Sequence, residues 1–166
     1  ADMDNIVITL DIGSTFIKAA VFDVEVEKIL YTEKCHTPAK RPDPDPAVFE
    51  NDAQALLNAV REVVRRCARA YPDAGGLLMS TQQHGCVLCH PGLEADTYIS
   101  WQDTRCLHTD PETGKSYLEE LEELLPPGVM ENTGVPVKPA LALCNLYALF
   151  RQGKLERGGE ARVYTL

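Results

Sequence analysis

Basic side chains are scarce in this 166-residue chain: 16 Lys and Arg stand against 25 Asp and Glu, a net charge of −9 at pH 7. A nucleic-acid backbone is held by clustered Lys and Arg, so this balance excludes DNA or RNA as a main partner. Also missing is an apolar run able to span a membrane. The longest stretch without a formal charge, Ala74 to Leu93, is broken by Ser80, Thr81, Gln82, Gln83, His84 and Pro91, whose polar groups are costly in lipid. The opening Ala-Asp-Met-Asp is acidic and lacks the basic region and small-residue cleavage site of a secretion signal. Six Cys are too few for a disulfide scaffold, and with no such signal the chain reads as cytoplasmic with reduced thiols. What is there is ordinary: 45% apolar and 25% charged residues, suited to a soluble globular core or one lobe of something larger.

Periodicity and turn residues give the order of elements. Ile6 to Leu10 is a β-branched run ending in Asp11-Ile-Gly13-Ser14-Thr15, and Phe16 to Phe22 follows at once, two strands around a tight turn. Lys28 to His36 adds a third strand, so the chain opens as an antiparallel meander that needs a helix on one face. Asn51 and Gln54 stand at capping-box spacing, and Leu56, Val60, Val63 and Cys67 then recur with helical period until Pro72. Leu77 to Ser80 reads as a buried strand, Cys86 to Cys89 as another, and Pro91-Gly92 as a turn. Helices are predicted over Tyr117 to Leu125 and over Pro139 to Phe150, with Pro139 in the first turn. The acidic run Glu119, Glu120, Glu122 and Glu123 reads as a solvated helix face. Ala161 to Leu166 starts a strand-like alternation with neither turn nor partner, the pattern of a chain cut at a strand.

The sharpest chemical feature is Asp11-x-Gly13-Ser14-Thr15-x-x-Lys18 between two β runs. Gly13 permits a backbone conformation closed to other residues, Ser14 and Thr15 offer hydroxyl and N–H groups to anionic oxygens, and Asp11 at a strand end can hold magnesium or its water. On spacing alone the alternative is a plain hairpin. Further on, Gln83, His84, Trp101 and Asp103 supply planar polar groups and an aromatic face, the types that hold sugar hydroxyls and C–H surfaces. Taken singly, His84 also reads as a structural imidazole, Trp101 as core, and Arg105 as a clamp orienting Asp103. A rival constellation, His84-x-Cys86-x-x-Cys89-His90 with Cys106 and His108, has zinc-site residue types and would suit a zinc-stabilised binding module. In a strand, however, Cys86 and Cys89 point to opposite faces, and Val87-Leu88 is no knuckle turn.

The segment Asp11 to Asp23 resembles the first phosphate loop of the actin, Hsp70 and sugar-kinase superfamily, which ATP-driven activators of radical dehydratases share. Ser80-Thr-Gln-Gln83-His84-Gly85, followed by Ile99-Ser-Trp101-Gln-Asp103-Thr-Arg105, resembles the paired blocks of FGGY-family carbohydrate kinases, roughly Gln-Met-His-Gly and Trp-x-Asp-x-Arg. Gly134 to Phe150 resembles a Pro- and Lys-containing helix of that family. Gln83 stands where the xylulokinase pattern commonly has Met, which leaves the exact sugar open.

The resemblance implies an α/β, actin-like ATPase (ribonuclease H-like) fold whose mixed sheet opens in an antiparallel three-strand meander with flanking helices. Residues 1–166 would be most of an N-terminal lobe, 1–100 a β-rich core with its covering helix and 101–166 a helical, sugar-proximal part, with the C-terminal lobe absent. The full-length protein would use ATP and Mg2+ to phosphorylate a ketose or polyol hydroxyl, a pentulose such as xylulose favoured. By the same resemblance, Asp11 orders magnesium or its water, Gly13, Ser14 and Thr15 line the phosphates with Lys18 as charge partner, and Gln83, His84, Trp101 and Asp103 touch the sugar. The general-base Asp and the adenosine loops are expected beyond Leu166, so this piece alone is expected to be inactive. Expected partners are the sugar and MgATP, with no nucleic acid and no membrane, and a homodimer left open. An ATPase activator or regulator on the same fold is the alternative; it would use Asp11 to Lys18 and leave the later blocks idle.

Overall fold

The computed structural model describes residues 5–91 and 95–166. In chain order they form β1 (Ile6–Ile12), β2 (Phe16–Asp23), β3 (Lys28–His36), β4 (Glu50–Asp52), α1 (Ala53–Ala70), β5 (Gly76–Thr81), β6 (Cys86–Cys89) and β7 (Thr97–Ile99). A 3-10 turn (Arg105–Leu107), α2 (Tyr117–Leu124), α3 (Val129–Thr133), α4 (Ala142–Arg151) and β8 (Arg162–Tyr164) follow. Described residues up to 39 and those of 52–82 make one compact unit, and those of 40–51 and from 83 onward make another. The expected boundary at residue 100 falls inside the second unit.

In the first unit the meander is as expected. Alternation puts Ile8, Leu10 and Ile12 of β1 and Ile17, Ala19 and Val21 of β2 on one buried face, while Thr9, Asp11 and Lys18 point the other way. Helix α1 packs on that apolar face with Leu56, Val63 and Cys67. Strand β5 pairs parallel to β1, giving the order β3-β2-β1-β5; a parallel neighbour needs a crossover, which α1 supplies. Two expectations are corrected. The cap of α1 is Asp52, whose side chain accepts from Ala55 N at 2.9 Å, while Asn51 is buried in β4 and Gln54 donates to Asn58 instead. Strand β5 is not buried: Leu77, Leu78 and Met79 are exposed, because α1 packs on β1 to β3 and β5 is the edge strand of the unit's sheet.

The second unit holds a four-stranded sheet, β4-β7-β6-β8. Strand β8 runs antiparallel to β6, so Ala161 to Leu166 does find a partner. Ser116 and Glu119 form a capping box at the start of α2. Helix α4 starts at Ala142, three residues after Pro139, because Lys138 to Leu141 closes a turn and Asn145 Nδ2 donates back to the Pro139 carbonyl at 3.1 Å. Its Cys144 and Ala148 pack with Cys106, Tyr117 and Leu121, and its Leu149 packs with Cys86, Leu88 and Ile99. The acidic run is not wholly solvated. Glu120 is buried, accepting from Tyr147 at 3.1 Å and pairing with Arg151 at 3.1 Å, and Arg151 also reaches Asp110 at 2.5 Å. The predicted Pro91-Gly92 turn lies partly outside the described residues, and the Ala-Asp-Met-Asp start wholly so.

Burial raises the thiol of Cys86 to about 11 and that of Cys106 to about 12, and also raises that of Cys144. In the unfolded chain the same thiols ionise near pH 9, so above that pH the unfolded form sheds protons first. Stability present at neutral pH should therefore fall as pH rises from about 9 toward 12, by on the order of 1–2 kcal/mol for each of Cys86 and Cys106 at pH 10.5. Denaturant midpoints at pH 7.5, 9 and 10.5 check this, and the fall should shrink in Cys106→Ala. A midpoint that holds steady refutes it.

Candidate functional site

One candidate site is the β1–β2 hairpin. Register pairs Asp11 with Lys18 across the antiparallel ladder, Lys18 with Lys34 on β3, and Asp11 with Ser80 on β5. One row of the open sheet face thus reads Lys34, Lys18, Asp11, Ser80, with neighbours on strands about 4.8 Å apart. All four are exposed and line a hollow of about 700 Å³ on the face opposite α1. At the hairpin tip, Gly13 N donates to the Phe16 carbonyl at 3.0 Å, and a Cβ on Gly13 would sit 2.9 Å from that same oxygen, so only glycine closes the turn. Thr37, the residue after β3, pins the tip: its Oγ1 donates to the Gly13 carbonyl at 2.8 Å and its N to the Thr15 carbonyl at 3.0 Å. Ser14 and Thr15 are left exposed at the tip, outside the lining of the hollow. A carboxylate flanked by an ammonium and a hydroxyl, beside a held tip of small residues, matches the donor set a magnesium-bearing polyphosphate needs.

A second, separate candidate lies in the other unit. Cys86 pairs with Ile99 at the last step of the β6–β7 ladder, so Gln83-His84-Gly85 and Ser100-Trp101 leave the same end of one ribbon. Gln83 is exposed, His84 is half-buried with φ of +70°, and the Trp101 indole is 41% exposed. The loop beneath Trp101 is held firmly: Ser100 N donates to the Phe49 carbonyl, Thr104 N to the Ala47 carbonyl, and Asn145 Nδ2 to the Asp103 carbonyl at 3.0 Å.

Asp103 needs correction as a group that touches sugar. It is 0% exposed, and its carboxylate accepts four donors: Arg105 N and Nε on one oxygen, Arg105 Nη2 and Phe49 N on the other. Four donors fill the lone-pair sites of a carboxylate, which leaves nothing for a ligand. Arg105 is the clamp, and it also reaches Glu50 at 2.6 Å. Burial opposes its charge, but the bonds to Asp103 and Glu50 outweigh that and hold the guanidinium above its ordinary range. Cys86 is inward on β6 and Cys89 is on its other face, and among the described residues no three potential ligands gather for a metal.

Ser80 and Lys34 escaped the sequence reading. Recognising that a crossover helix returns β5 parallel to β1 would have set Ser80 beside Asp11; Lys34 needed the β2–β3 register.

A meander followed by a crossover helix and a parallel fourth strand beside β1 defines the actin-like, ribonuclease H-like class of ATPase fold. Within that class the description "FGGY family of carbohydrate kinases, N-terminal domain" matches residues 6–149, and the chain belongs to that family. The resemblance drawn from the two sequence blocks is borne out. Among solved structures it is similar to a xylulose kinase from Brucella ovis (TM-score 0.69, 23% identity, covering 90% of this chain and 30% of that one). A ligand-bound xylulose kinase from Lactobacillus acidophilus (TM-score 0.70, 18% identity, 90% and 29%) and a Plasmodium falciparum glycerol kinase with ADP (TM-score 0.70, 14% identity, 98% and 32%) are also similar. The chain therefore spans about 30% of the length of these kinases. Comparison with curated protein sequences gives no match. Among the described residues no helix is long and apolar enough to cross a membrane.

Proposed function

We propose that the intact protein moves the γ-phosphoryl group of MgATP to a hydroxyl of a ketose or polyol in the cytoplasm, a pentulose such as xylulose being the favoured acceptor. The new bond joins phosphorus to the sugar oxygen, the bond to ADP breaks, and the hydroxyl proton passes to a base. The observation that carries this reading is the exposed row Lys34, Lys18, Asp11, Ser80 at the foot of a pinned Gly-Ser-Thr tip. Asp11 would hold magnesium or its water, and Gly13, Ser14, Thr15 and Lys18 would hold the phosphates. Bound there, the ion would neutralise charge as the phosphoryl group moves, since such transfer is mostly positioning and electrostatics. Gln83, His84 and Trp101 would hold the sugar, while Asp103 and Arg105 fix the loop that presents the indole. The solved relatives include xylulose and glycerol kinases, which supports a small polyhydroxy acceptor. The base is assigned to the part of the protein beyond Leu166, so the 166-residue piece alone should show no sugar-dependent turnover.

A coupled ADP assay of the intact protein over ketoses and polyols tests the reading, and ATP consumption indifferent to every sugar would favour a regulator on the same fold. In the same assay His84→Ala and Trp101→Ala should each raise the sugar KM about tenfold or more while moving the ATP KM less than threefold, as for loss of a polar or stacking ligand contact. Equal changes in both would make these residues structural.

A further inference from the structure

Tyr98, in the middle of β7, is 2% exposed, yet its hydroxyl has no hydrogen-bond partner among the described residues. The Ser100 hydroxyl, two residues on, is near enough to favour the phenolate slightly. Burial first, then Cys86, pushes the phenol up to about 12, so it is a neutral donor at physiological pH. What this hydroxyl faces is Gly85: a Cβ there would lie 2.4 Å from Tyr98 Oη and 2.7 Å from the ring. Gly85 is needed for room, and the phenol fills that room directly under the turn. The next residue back, His84, holds φ of +70°, a left-handed backbone that residues with a Cβ avoid. Two unfavourable features, an unmade buried hydrogen bond and a left-handed histidine, thus meet at one turn. Such features persist where the surrounding structure holds them, and they cluster at ligand sites.

We propose that Tyr98 is a positioning residue for the sugar site: its hydroxyl bonds to the Gln83-His84-Gly85 turn when sugar engages His84, so that binding makes a bond the free protein lacks. This rests on the reading of Gln83 and His84 as sugar ligands given above. The hydroxyl abuts the Gly85 end of this turn, and a partner present in one state alone biases the protein toward that state. Nothing in the sequence blocks marks Tyr98, since its signal is the tyrosine's burial against a glycine that leaves it space.

Tyr98→Phe in the intact protein tests this, read by thermal unfolding with and without sugar and by KM for each substrate. The unfolding temperature without sugar should stay level or rise, because no bond is lost in the free form. The sugar KM should rise about tenfold, the scale of one buried hydrogen bond, the ATP KM should stay within twofold, and the stabilisation conferred by sugar should shrink. A lower unfolding temperature without sugar would mean the hydroxyl is already bonded, and an unchanged sugar KM would mean it takes no part in binding; either overturns the role. If wild type phosphorylates no sugar, the kinase reading and this role fall together. Sugar-dependent wild-type turnover with an unaltered Tyr98→Phe overturns this role alone.

Discussion

Replacing Asp11 with Asn in the intact protein should lower sugar-dependent turnover by about 100- to 1,000-fold, the usual loss when one preorganised charge at a transferring group is removed. Asp11 is exposed on the open face of the sheet, and no hydrogen bond to its side chain is found among the described residues. Its substitution by an isosteric amide should therefore change unfolding by no more than about 0.5 kcal/mol. The two readouts separate chemistry from folding. The variant should also need more magnesium for half-maximal turnover, because an amide oxygen binds a hard cation more weakly than a carboxylate does. Turnover within a few-fold of wild type would end the magnesium assignment.

Arg105→Ala should cost about 3–5 kcal/mol in denaturant unfolding, since it strands the carboxylate of Asp103 at 0% exposure without its counter-ion. The guanidinium meets Asp103 through Nε at 2.9 Å and Nη2 at 2.6 Å while holding Glu50, a fork that an ammonium cannot reproduce. Arg105→Lys should therefore recover only part of the loss. Removing both charges with a volume-matched pair, Asp103→Asn with Arg105→Met, should be milder than Arg105→Ala alone. A loss under about 1 kcal/mol for Arg105→Ala would show that the pair is dispensable.

The parts of the fold written in local pattern were legible. Alternation gave β1 to β3, and helical period gave α1 and the span of α2, whose Ser116–Glu119 capping box only the structure brings out. What escaped depends on partners distant in sequence. Strands β4 and β7 have three residues each and exist only through pairing, so no periodicity announces them. The residues Leu77 to Met79 look like core in any apolar scale, and only the sheet order makes them an edge. For the site, residue type located the hairpin and the His84 and Trp101 blocks, but type alone could not tell an acid free to bind from one already saturated. Asp103 was separated from Asp11 by four donors that come from residues 49 and 105.

Helix α4 carries two loads. Arg151, at its end, ties down Glu120 and Asp110, while Asn145, in its first half, grips the carbonyl of Asp103 two residues past the indole. A charge-neutral replacement of Glu120, drawn from what looks like a dispensable acidic stripe, would loosen that helix where it is anchored. Such a surface-seeming variant should lower the unfolding midpoint and, on the sugar-site reading proposed above, weaken sugar binding from a distance.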